Sequence, residues 1–443
     1  MKKVILSALF LATLPSVVQA QEEDAPENTF TLSAQLRPRF EYRNGAYVPL
    51  QEGEKPAILV NNRTRLNLDY HHGDQLQLFL SFQNVNIWGQ APQVQLNDRT
   101  GGLSIFEAYA ALPIYKDINA KIGRQMIVLD EDRIFGSLDW HPAGRAHDAI
   151  NINWKNDKLT LRSFFAFNQN YFDGKAKDKL NGNVNNPKGQ FFAPGGQPYQ
   201  HLEAVHAHYD ITPTQGVSVL VANLGQRNDL VDDNDYNMQT FGFHYRGKSD
   251  ALRYGAEGYL QTGKNAAGKD KQAFLLAALV GYQFTPAFSA TLGLDYLSGN
   301  DTNDPTATKD KAFNPFSGTN HKFYGFMDHF YVSYSPSVGL LNPYLNLTLK
   351  TSDKGNLSAT GHYFRSASKI LGSEDNKTRH LGVEGDLVYT HKIQQYVSLQ
   401  AGYSLFIPSG TYKSLRSLRE VRKQQDWLWC SLNINPKLFS AKF

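Results

Sequence analysis

The chain has 443 residues, of which 12% are aromatic, and it contains 35 glycines and one cysteine, Cys430. A formal net charge of +4 excludes the strongly basic surface that nucleic-acid binding requires. A single cysteine excludes an intrachain disulfide, so the fold must be stabilised without covalent cross-links.

Residues 1–20 have the three regions of a secretory signal peptide. Lys2 and Lys3 form a basic start, Val4–Leu14 is an apolar segment too short to span a bilayer, and Ala20 ends a small-residue cleavage site. We expect cleavage after Ala20, which exports the mature chain. No later apolar run reaches the roughly 18 residues that a transmembrane helix needs.

The first segment of the mature chain with a clear period is Phe30–Tyr42, which alternates strictly between polar and apolar side chains. Arg37 and Arg39 lie on one face, whereas Leu36 and Phe40 lie on the other. A period of two predicts a strand with one wet face and one apolar face. The same pattern, or a strand-length run between turn residues, recurs and predicts about 18 strands. These are Phe30–Tyr42, Arg63–Tyr70, Gln75–Ile87, Ser104–Leu112, Ile118–Ile127, His147–Trp154, Lys158–Asn168, His201–Asp210, Gly216–Leu224, Met238–Arg246, Leu252–Gln261, Gln272–Phe284, Phe288–Leu297, Asn342–Lys350, Leu357–Arg365, Arg379–Tyr389, Tyr396–Leu405 and Asp426–Ile434.

Alternation alone also fits a soluble β-sandwich, but three further features favour a membrane barrel. The predicted strands are about ten residues long, whereas strands of soluble sheets average about five or six. Tyrosine and tryptophan fall near strand ends, as in an aromatic girdle. Short and long connections alternate along the chain, which is typical of outer-membrane barrels.

We therefore predict an all-β fold, a transmembrane antiparallel β-barrel of about 18 strands with short periplasmic turns and long extracellular loops. After a short acidic tail at residues 21–29, one domain occupies residues 30–443, and it lies in the outer membrane of a Gram-negative bacterium. Asp328–Tyr334 also resembles a strand, but an even strand count assigns it to a long loop.

The least generic stretch is Lys121–Ile152, where two strand-like pieces flank a middle rich in charges of both signs, glycine and aromatic residues. So many charges are expected in a loop that folds into a hydrated protein interior, because each charge can form an ion pair there. A solvated loop with incidental ion pairs is the alternative. We expect the loops Val128–Arg145 and Ser298–Leu340 to fold inward and narrow the lumen.

A barrel of this size encloses a channel, and its predicted inner face is rich in cations. Arg37, Arg39, Arg63 and Arg65 lie on adjacent strands, so their guanidinium groups should converge. Repelling cations stay together only if an anion compensates them. The remaining inward cations are Lys121, Arg162, Arg253 and Lys350, and the inward acids are Glu41, Asp69, Glu107, Glu203, Glu257, Asp295, Glu384 and Asp386. Two interpretations remain open: a self-neutralising network lining a passive pore, or a path for carboxylate-bearing substrates.

Several motifs resemble the alginate-export family of outer-membrane proteins. The most specific block runs from Glu107-Ala108-Tyr109 through Gly123-Arg124-Gln125 and the segment 130–136 (DEDRIFG) to Asp139-Trp140, Gly144-Arg145 and Asp148-Ala149. Looser matches follow at 321–328 (HKFYGFMD), 362–364 (HYF) and 382–387 (GVEGDL). The resemblance covers nearly the whole mature chain. It implies an 18-stranded barrel with an arginine-rich, anion-selective lumen, in a family whose founding function is alginate export.

The resemblance also implies which side chains line the path. By resemblance, the expected path residues are Arg37, Arg39, Arg63, Arg65, Arg124, Arg133 and Arg145, and Arg162 joins them because its strand phase predicts that it faces inward. The expected supporting acids, which would orient these arginines, are Glu107, Asp130, Glu131, Asp132, Asp139 and Asp148. The expected partners are outer-membrane lipid, an anionic oligo- or polysaccharide and, for export, periplasmic proteins. We expect a monomer that binds no nucleic acid.

Catalysis and metal binding are weaker interpretations of the same residues. Asp130, Glu131 and Asp132 with Asp139 could supply an acid and a base, but neighbouring arginines would depress the pKa of a general acid, which argues against glycoside hydrolysis. No sequence motif marks a nucleophilic serine near His206 and His208, as a lipase would need. Strand histidines two apart are usually neutral polar residues rather than metal ligands. Ca²⁺ in the outer loops, at Asp232, Asp233 and Asp235 or at Asp301 and Asp304, is a minor alternative, since neither group has EF-hand spacing. We expect no cofactor.

We therefore predict an outer-membrane channel, not an enzyme, which passes anionic solutes along an arginine-lined lumen. The expected solute is an anionic, alginate-like polysaccharide or oligosaccharide. A general anion-selective porin without polymer specificity and a plugged structural or adhesion barrel are the alternatives.

Overall fold

The computed structural model describes residues 27–90, 102–168, 199–227, 234–302, 304, 307–370 and 379–443. The strands are β1 Asn28–Asn44, β2 Ala57–His72, β3 Leu76–Ile87, β4 Ser104–Tyr115, β5 Ile118–Gln125, β6 His147–Lys155, β7 Leu159–Phe167, β8 His201–Thr212, β9 Gln215–Arg227, β10 Asp235–Ser249, β11 Leu252–Gly263, β12 Asp270–Lys271, β13 Ala273–Thr285, β14 Phe288–Leu297, β15 Lys309–Asp310, β16 Leu340–Ser352, β17 Gly355–Arg365, β18 His380–Gln394, β19 Val397–Pro408, β20 Gln425–Ile434 and β21 Lys437–Lys442. The predicted signal peptide lies outside the described residues.

Every long strand pairs antiparallel with its neighbours in the chain, and the sheet closes where β1 meets both β2 and the last strand. β20 and β21 form that last strand together, interrupted at Asn435 and Pro436. The backbone amides of Asn28 and Phe443 each donate to the other residue's carbonyl, at 2.9 and 3.0 Å. The result is a closed barrel of 18 strands, which confirms the predicted fold class. Closure leaves the main sheet of the described strands without an unpaired edge, as a membrane-spanning sheet requires.

The connections alternate in length around the barrel, as predicted. Two residues join β8 to β9, β10 to β11, β13 to β14 and β16 to β17, whereas residues 45–56, 126–146 and 298–339 connect strands at the opposite end. Both ends of the described chain lie at the short-turn end. We take that end as periplasmic, because outer-membrane barrels have short periplasmic turns and longer extracellular loops.

The outer face of the barrel is apolar and exposed, which is the reverse of a soluble sandwich. Val205, Leu276 and Leu292 each expose more than half of their side-chain surface there. A band of such residues is stable only against lipid, because an exposed apolar surface of this extent is unfavourable in water.

Helix is minor in the part of the chain that the structure describes, where a 3₁₀ turn spans Asn320–Lys322 and helix α1 spans Gly410–Leu415. The side chain of Ser409 caps α1 by accepting a hydrogen bond from the amide of Tyr412. Among the described residues, no helix has both the length and the apolar composition that crossing a membrane requires.

Two long loops fold into the lumen and form a packed core there, which confirms that prediction. We call residues 126–146 the first inner loop and residues 298–339 the second inner loop. Phe135 of the first loop and Phe313, Tyr324 and Phe330 of the second are at most 1% exposed. Phe135 forms an isolated parallel bridge with Ser317, which joins the two loops. Asp328–Tyr334 lies in the second inner loop and not in a strand, as predicted.

Candidate functional site

The four arginines of β1 and β2 meet the first inner loop. Arg37 and Arg63 are opposite each other in the register, and both point into the lumen. The carboxylate of Asp139 lies 2.8 Å from Arg63 Nη1, 3.4 Å from Arg37 Nη1 and 3.7 Å from Arg65 Nη1. The predicted convergence is therefore present, and Asp139 is the anion at its centre. Burial disfavours the Asp139 carboxylate, but Arg63, Arg37 and Arg65 lower its pKa below the ordinary value.

The same arginines also bind the main chain of the first inner loop. Arg37 Nη1 donates to the carbonyl of Asp139 at 2.7 Å, Arg39 Nη1 to that of Trp140 at 2.9 Å, and Arg65 Nη2 to that of Ala143 at 3.3 Å. The loop is thus fixed to the wall by carbonyl contacts that do not need the Asp139 carboxylate.

Arg39 differs from its neighbours because it has its own acid. Its Nε donates to Glu41 at 3.0 Å, and the second oxygen of Glu41 accepts from Arg43 at 2.8 Å. Arg39 is 2% exposed, and its guanidinium lies 4.2 Å from the centre of the Trp140 ring. In this conformation Arg39 fixes the loop and does not face open lumen.

Arg133 is enclosed between the two inner loops and the wall. Its Nη2 lies 2.7 Å from Glu257 and 2.9 Å from Asp295, and its guanidinium stacks 3.7 Å from the Phe323 ring. Burial opposes the charge of Arg133, but Glu257 and Asp295 raise its pKa well above the ordinary value. Sequence reasoning placed Arg133 on the path, whereas the structure gives it two buried carboxylate partners. Its contacts are those of an anchor.

Arg145 also holds loops together. Its Nη1 donates to the carbonyls of Ser317, Gly318 and Gly136, so it joins the two inner loops, and burial lowers its pKa to about 10. Among the predicted supporting acids, Glu107 accepts from the amide of Met126 at 2.9 Å and so fixes the start of the first inner loop.

Asp130 anchors the first inner loop to the opposite wall. Its carboxylate accepts from Ser218 at 2.6 Å and lies 3.0 Å from His206 and 3.7 Å from His244. Burial by itself would raise the pKa of Asp130, but His206, Ser218 and His244 lower it.

Glu131 and Asp132 face Lys322 of the second inner loop, at 3.4 and 3.6 Å. Burial raises the pKa of Asp132 although Lys322 opposes the shift. These two acids therefore connect the loops to each other and contact none of the predicted path arginines in the described structure.

Three residues that were predicted to face the lumen face outward, which corrects the prediction. Asp148 shares its strand face with Ile150 and Ile152, which are exposed on the lipid side, and it lies 2.9 Å from Arg124. Arg124 is in phase with the outward Ile122, so this ion pair lies outside the barrel near its extracellular rim. Glu203 is also outward, because it is in phase with the exposed Val205 and alternates with the buried Leu202 and Ala204.

A second group of cations lines the lumen on the opposite wall. Arg246 and Lys248 of β10 and Arg253 of β11 line a cavity of about 380 Å³ below the inner loops. Within the described residues, none of the three has a carboxylate partner, and Arg253 Nη2 donates a hydrogen bond to Thr291 Oγ1 at 2.8 Å. The cavity reaches the periplasmic end, because Thr214 of the β8–β9 turn also lines it.

Sequence reasoning found only part of this group. The alternation predicts that Arg253 faces inward, but it ends the preceding predicted strand at Arg246 and leaves Lys248 outside any predicted strand. The signal was the continued alternation of His244, Arg246 and Lys248, which extends β10 to Ser249. Arg162 also faces the lumen, where its Nη1 donates weakly to the Val128 carbonyl at 3.4 Å.

The wall beneath the second inner loop carries a buried acid pair, Glu384 and Asp386 of β18. Glu384 accepts from the amide of Met327 at 2.8 Å, and Asp386 lies 3.6 Å from His362 Nε2. Their role here is to seat the second inner loop.

The described residues contain no cluster of three or more metal-ligating side chains. His206 contacts Asp130 and His208 contacts Ser218 and Asp210, so these histidines serve as hydrogen-bonding groups of the inner wall. Asp232 and Asp233 lie outside the described residues. Asp301 accepts from the amide of Lys369 at 2.7 Å.

A closed antiparallel barrel with an apolar outer band, inward loops and a charged lumen defines the class: an outer-membrane channel, not an enzyme. Solved structures share the fold. OpdL of Pseudomonas aeruginosa matches with a TM-score of 0.60 and 14% identity, over 93% of this chain and 99% of that one. OccAB1 of Acinetobacter baumannii matches with a TM-score of 0.60 and 13% identity, over 93% of this chain and 97% of that one. OccK9 of P. aeruginosa matches with a TM-score of 0.59 and 12% identity, over 94% of this chain and 98% of that one.

The family model described as "Alginate export" matches residues 29–418, and the chain therefore belongs to the alginate-export family. This confirms the resemblance found in the sequence and the outer-membrane location. No curated protein gives a significant match to the chain.

Proposed function

We propose that this outer-membrane channel conducts anionic solutes, and that its preferred solutes are carboxylate-bearing oligosaccharides or polysaccharides. The observation that carries the proposal is the group of lumen cations Arg246, Lys248 and Arg253 at the periplasmic end, which have no carboxylate partner among the residues that the structure describes. Unpaired cations in a confined lumen raise the local concentration of anions and so favour their passage.

The two groups of lumen cations lie on opposite sides of the barrel, so that a solute can contact both as it passes. Arg37, Arg63 and Arg65 lie on β1 and β2, and the same number of strands separates β1 from β10 in either direction around the barrel. Arginines bind carboxylates through paired N–H donors, so a chain of uronic acids can contact successive cations. Passage is facilitated diffusion through a monomer and needs no cofactor. Export of a polymer would also need periplasmic partners, whereas uptake by diffusion would not.

The test is the reversal potential of the purified protein in a planar bilayer under a salt gradient. We compare the wild type with the triple variant Arg246→Gln, Lys248→Gln, Arg253→Gln. We expect the wild type to prefer anions and the triple variant to lose most of that preference. Lys116→Gln, Lys158→Gln, Lys354→Gln is the matched control, because it removes the same charge from the short turns. A wild type without anion preference, or a triple variant that keeps it, contradicts the proposal.

Block by a carboxylated trisaccharide separates the polymer interpretation from a general anion porin. Trigalacturonate should reduce the current of the wild type at concentrations at which the neutral maltotriose has no effect. Anion preference without this block would support a general anion-selective porin instead.

A further inference from the structure

The arginine group of β1 and β2 is larger than its internal anion requires. Arg37, Arg63 and Arg65 all lie within 3.7 Å of the single carboxylate of Asp139. Glu41 is already shared by Arg39 and Arg43, so it does not compensate the charge of Arg37, Arg63 or Arg65. Three guanidinium groups therefore share one carboxylate, and the group keeps an excess of positive charge.

The guanidinium groups are held in place by neutral partners. Arg63 Nε donates to Gln35 at 2.8 Å, and Arg65 Nε donates to Gln83 at 2.7 Å. The Arg65 guanidinium also stacks 3.5 Å from the centre of the Phe106 ring. These contacts fix the direction of the N–H donors without cancelling their charge, which is how a preorganised anion site is built.

Lumen water reaches the carboxylate of Asp139 but hardly reaches the arginines behind it. Arg63 and Arg65 expose 1% and 10% of their side chains, whereas Asp139 exposes 55% of its own. The resident carboxylate therefore lies between the arginines and the lumen water. A solute reaching the arginines must meet Asp139 first.

We propose that Arg37, Arg63 and Arg65 form a binding site for a solute carboxylate, and that Asp139 occupies this site as an internal competitor. A uronate carboxylate has the same planar group as Asp139, so it can take over the same N–H donors. When it does, the Asp139 side chain turns into the lumen while the loop stays in place. The competitor sets the affinity low enough for the solute to leave again, as conduction requires. This inference rests on the proposed function.

The loop does not depend on the acid for its position. The arginines bind the carbonyls of Asp139, Trp140 and Ala143, and Arg145 joins the loop to the second inner loop. Asp139→Asn should therefore keep the fold while removing the competing charge. The near-ultraviolet circular dichroism of Trp140, which stacks 4.5 Å from the His321 ring, reports whether the loop has moved.

The experiment compares the trigalacturonate concentration that halves the current in the wild type, in Asp139→Asn and in Asp139→Glu. We expect this concentration to fall about fivefold in Asp139→Asn, since that factor is the upper end of what an exposed ion pair contributes to an equilibrium constant. Asp139→Glu should stay near the wild type, and maltotriose should block none of the three. Arg63→Gln should raise the trigalacturonate concentration instead.

An unchanged or higher half-blocking concentration in Asp139→Asn, with the tryptophan signal intact, overturns the inference. Failure of this inference can be told apart from failure of the proposed function. If the wild type prefers anions but Asp139→Asn has the wild-type half-blocking concentration, only the competitor role of Asp139 is refuted. If trigalacturonate fails to block the wild type, block of Asp139→Asn still supports the inference, and failure to block both variants overturns it.

Discussion

Removing the Arg133 charge should release the inner loops from the barrel wall. In Arg133→Met, Glu257 and Asp295 lose the cation that lies 2.7 and 2.9 Å away. The three side chains expose only 4%, 8% and 2%, so solvent screens the lost interaction very little. Leaving buried charges unpaired in this way costs about 3–5 kcal/mol.

This energy acts on the docking of the loops and not on the whole barrel, since the strands keep their hydrogen bonds. At about 1.4 kcal/mol for each factor of ten, the docked state loses a factor of about 10² to 10⁴ relative to released states. Hydrogen exchange at residues 129–137 of the reconstituted protein should quicken by a similar factor. Single-channel conductance should become larger and noisier.

The matched control removes the acids together with the cation. Arg133→Met, Glu257→Gln, Asp295→Asn leaves no unpaired charge, so it should recover much of the wild-type exchange and conductance. If Arg133→Met exchanges at the wild-type rate, or if the triple variant is as perturbed as the single one, the interpretation of Arg133 as a loop anchor is wrong.

Two further predictions concern the barrel and its outer loops. Gly123→Ala should lower the urea midpoint of unfolding, because Gly123 has φ +121° and a Cβ there would lie 2.3 Å from the Ala108 carbonyl oxygen. Gly361→Ala is the control, since nothing lies within 4 Å of its added methyl. Equal midpoints for the two variants would contradict the steric argument. Asp310→Asn should make the loop pairing of β12 with β15 sensitive to protease at neutral pH, because it leaves Lys271, 2.9 Å away, without its acid. Burial opposes the Asp310 charge, but hydrogen bonds from Lys271, Asn265 and Asn300 lower its pKa to about 2. Its stabilising effect is therefore present above the ordinary aspartate pKa of about 3.9 and is lost as the pH falls through about 2. Protection that disappears already at pH 5 in the wild type would contradict this assignment.

The sequence by itself determined the barrel, and each predicted strand corresponds to an observed one. Strand formation is local: alternation with period two and turn residues at the ends specify each segment without reference to distant parts. The outward position of Arg124 was also available, because Arg124 is in phase with Ile122. The motif resemblance instead implied a role in the path, which the strand phase contradicts.

Only the tertiary structure decided which charges are paired and which are free. Asp139 meets Arg37 across 102 positions of the chain, and Arg133 meets Asp295 across 162. Such contacts depend on how two long loops fold inside the barrel, and no local period encodes that. The sequence contains the cations of both groups, but a cation is available to a solute only where the fold leaves its positive charge wholly or partly uncompensated. That is why Arg133 became an anchor, whereas Arg246, Lys248 and Arg253 remain facing the lumen.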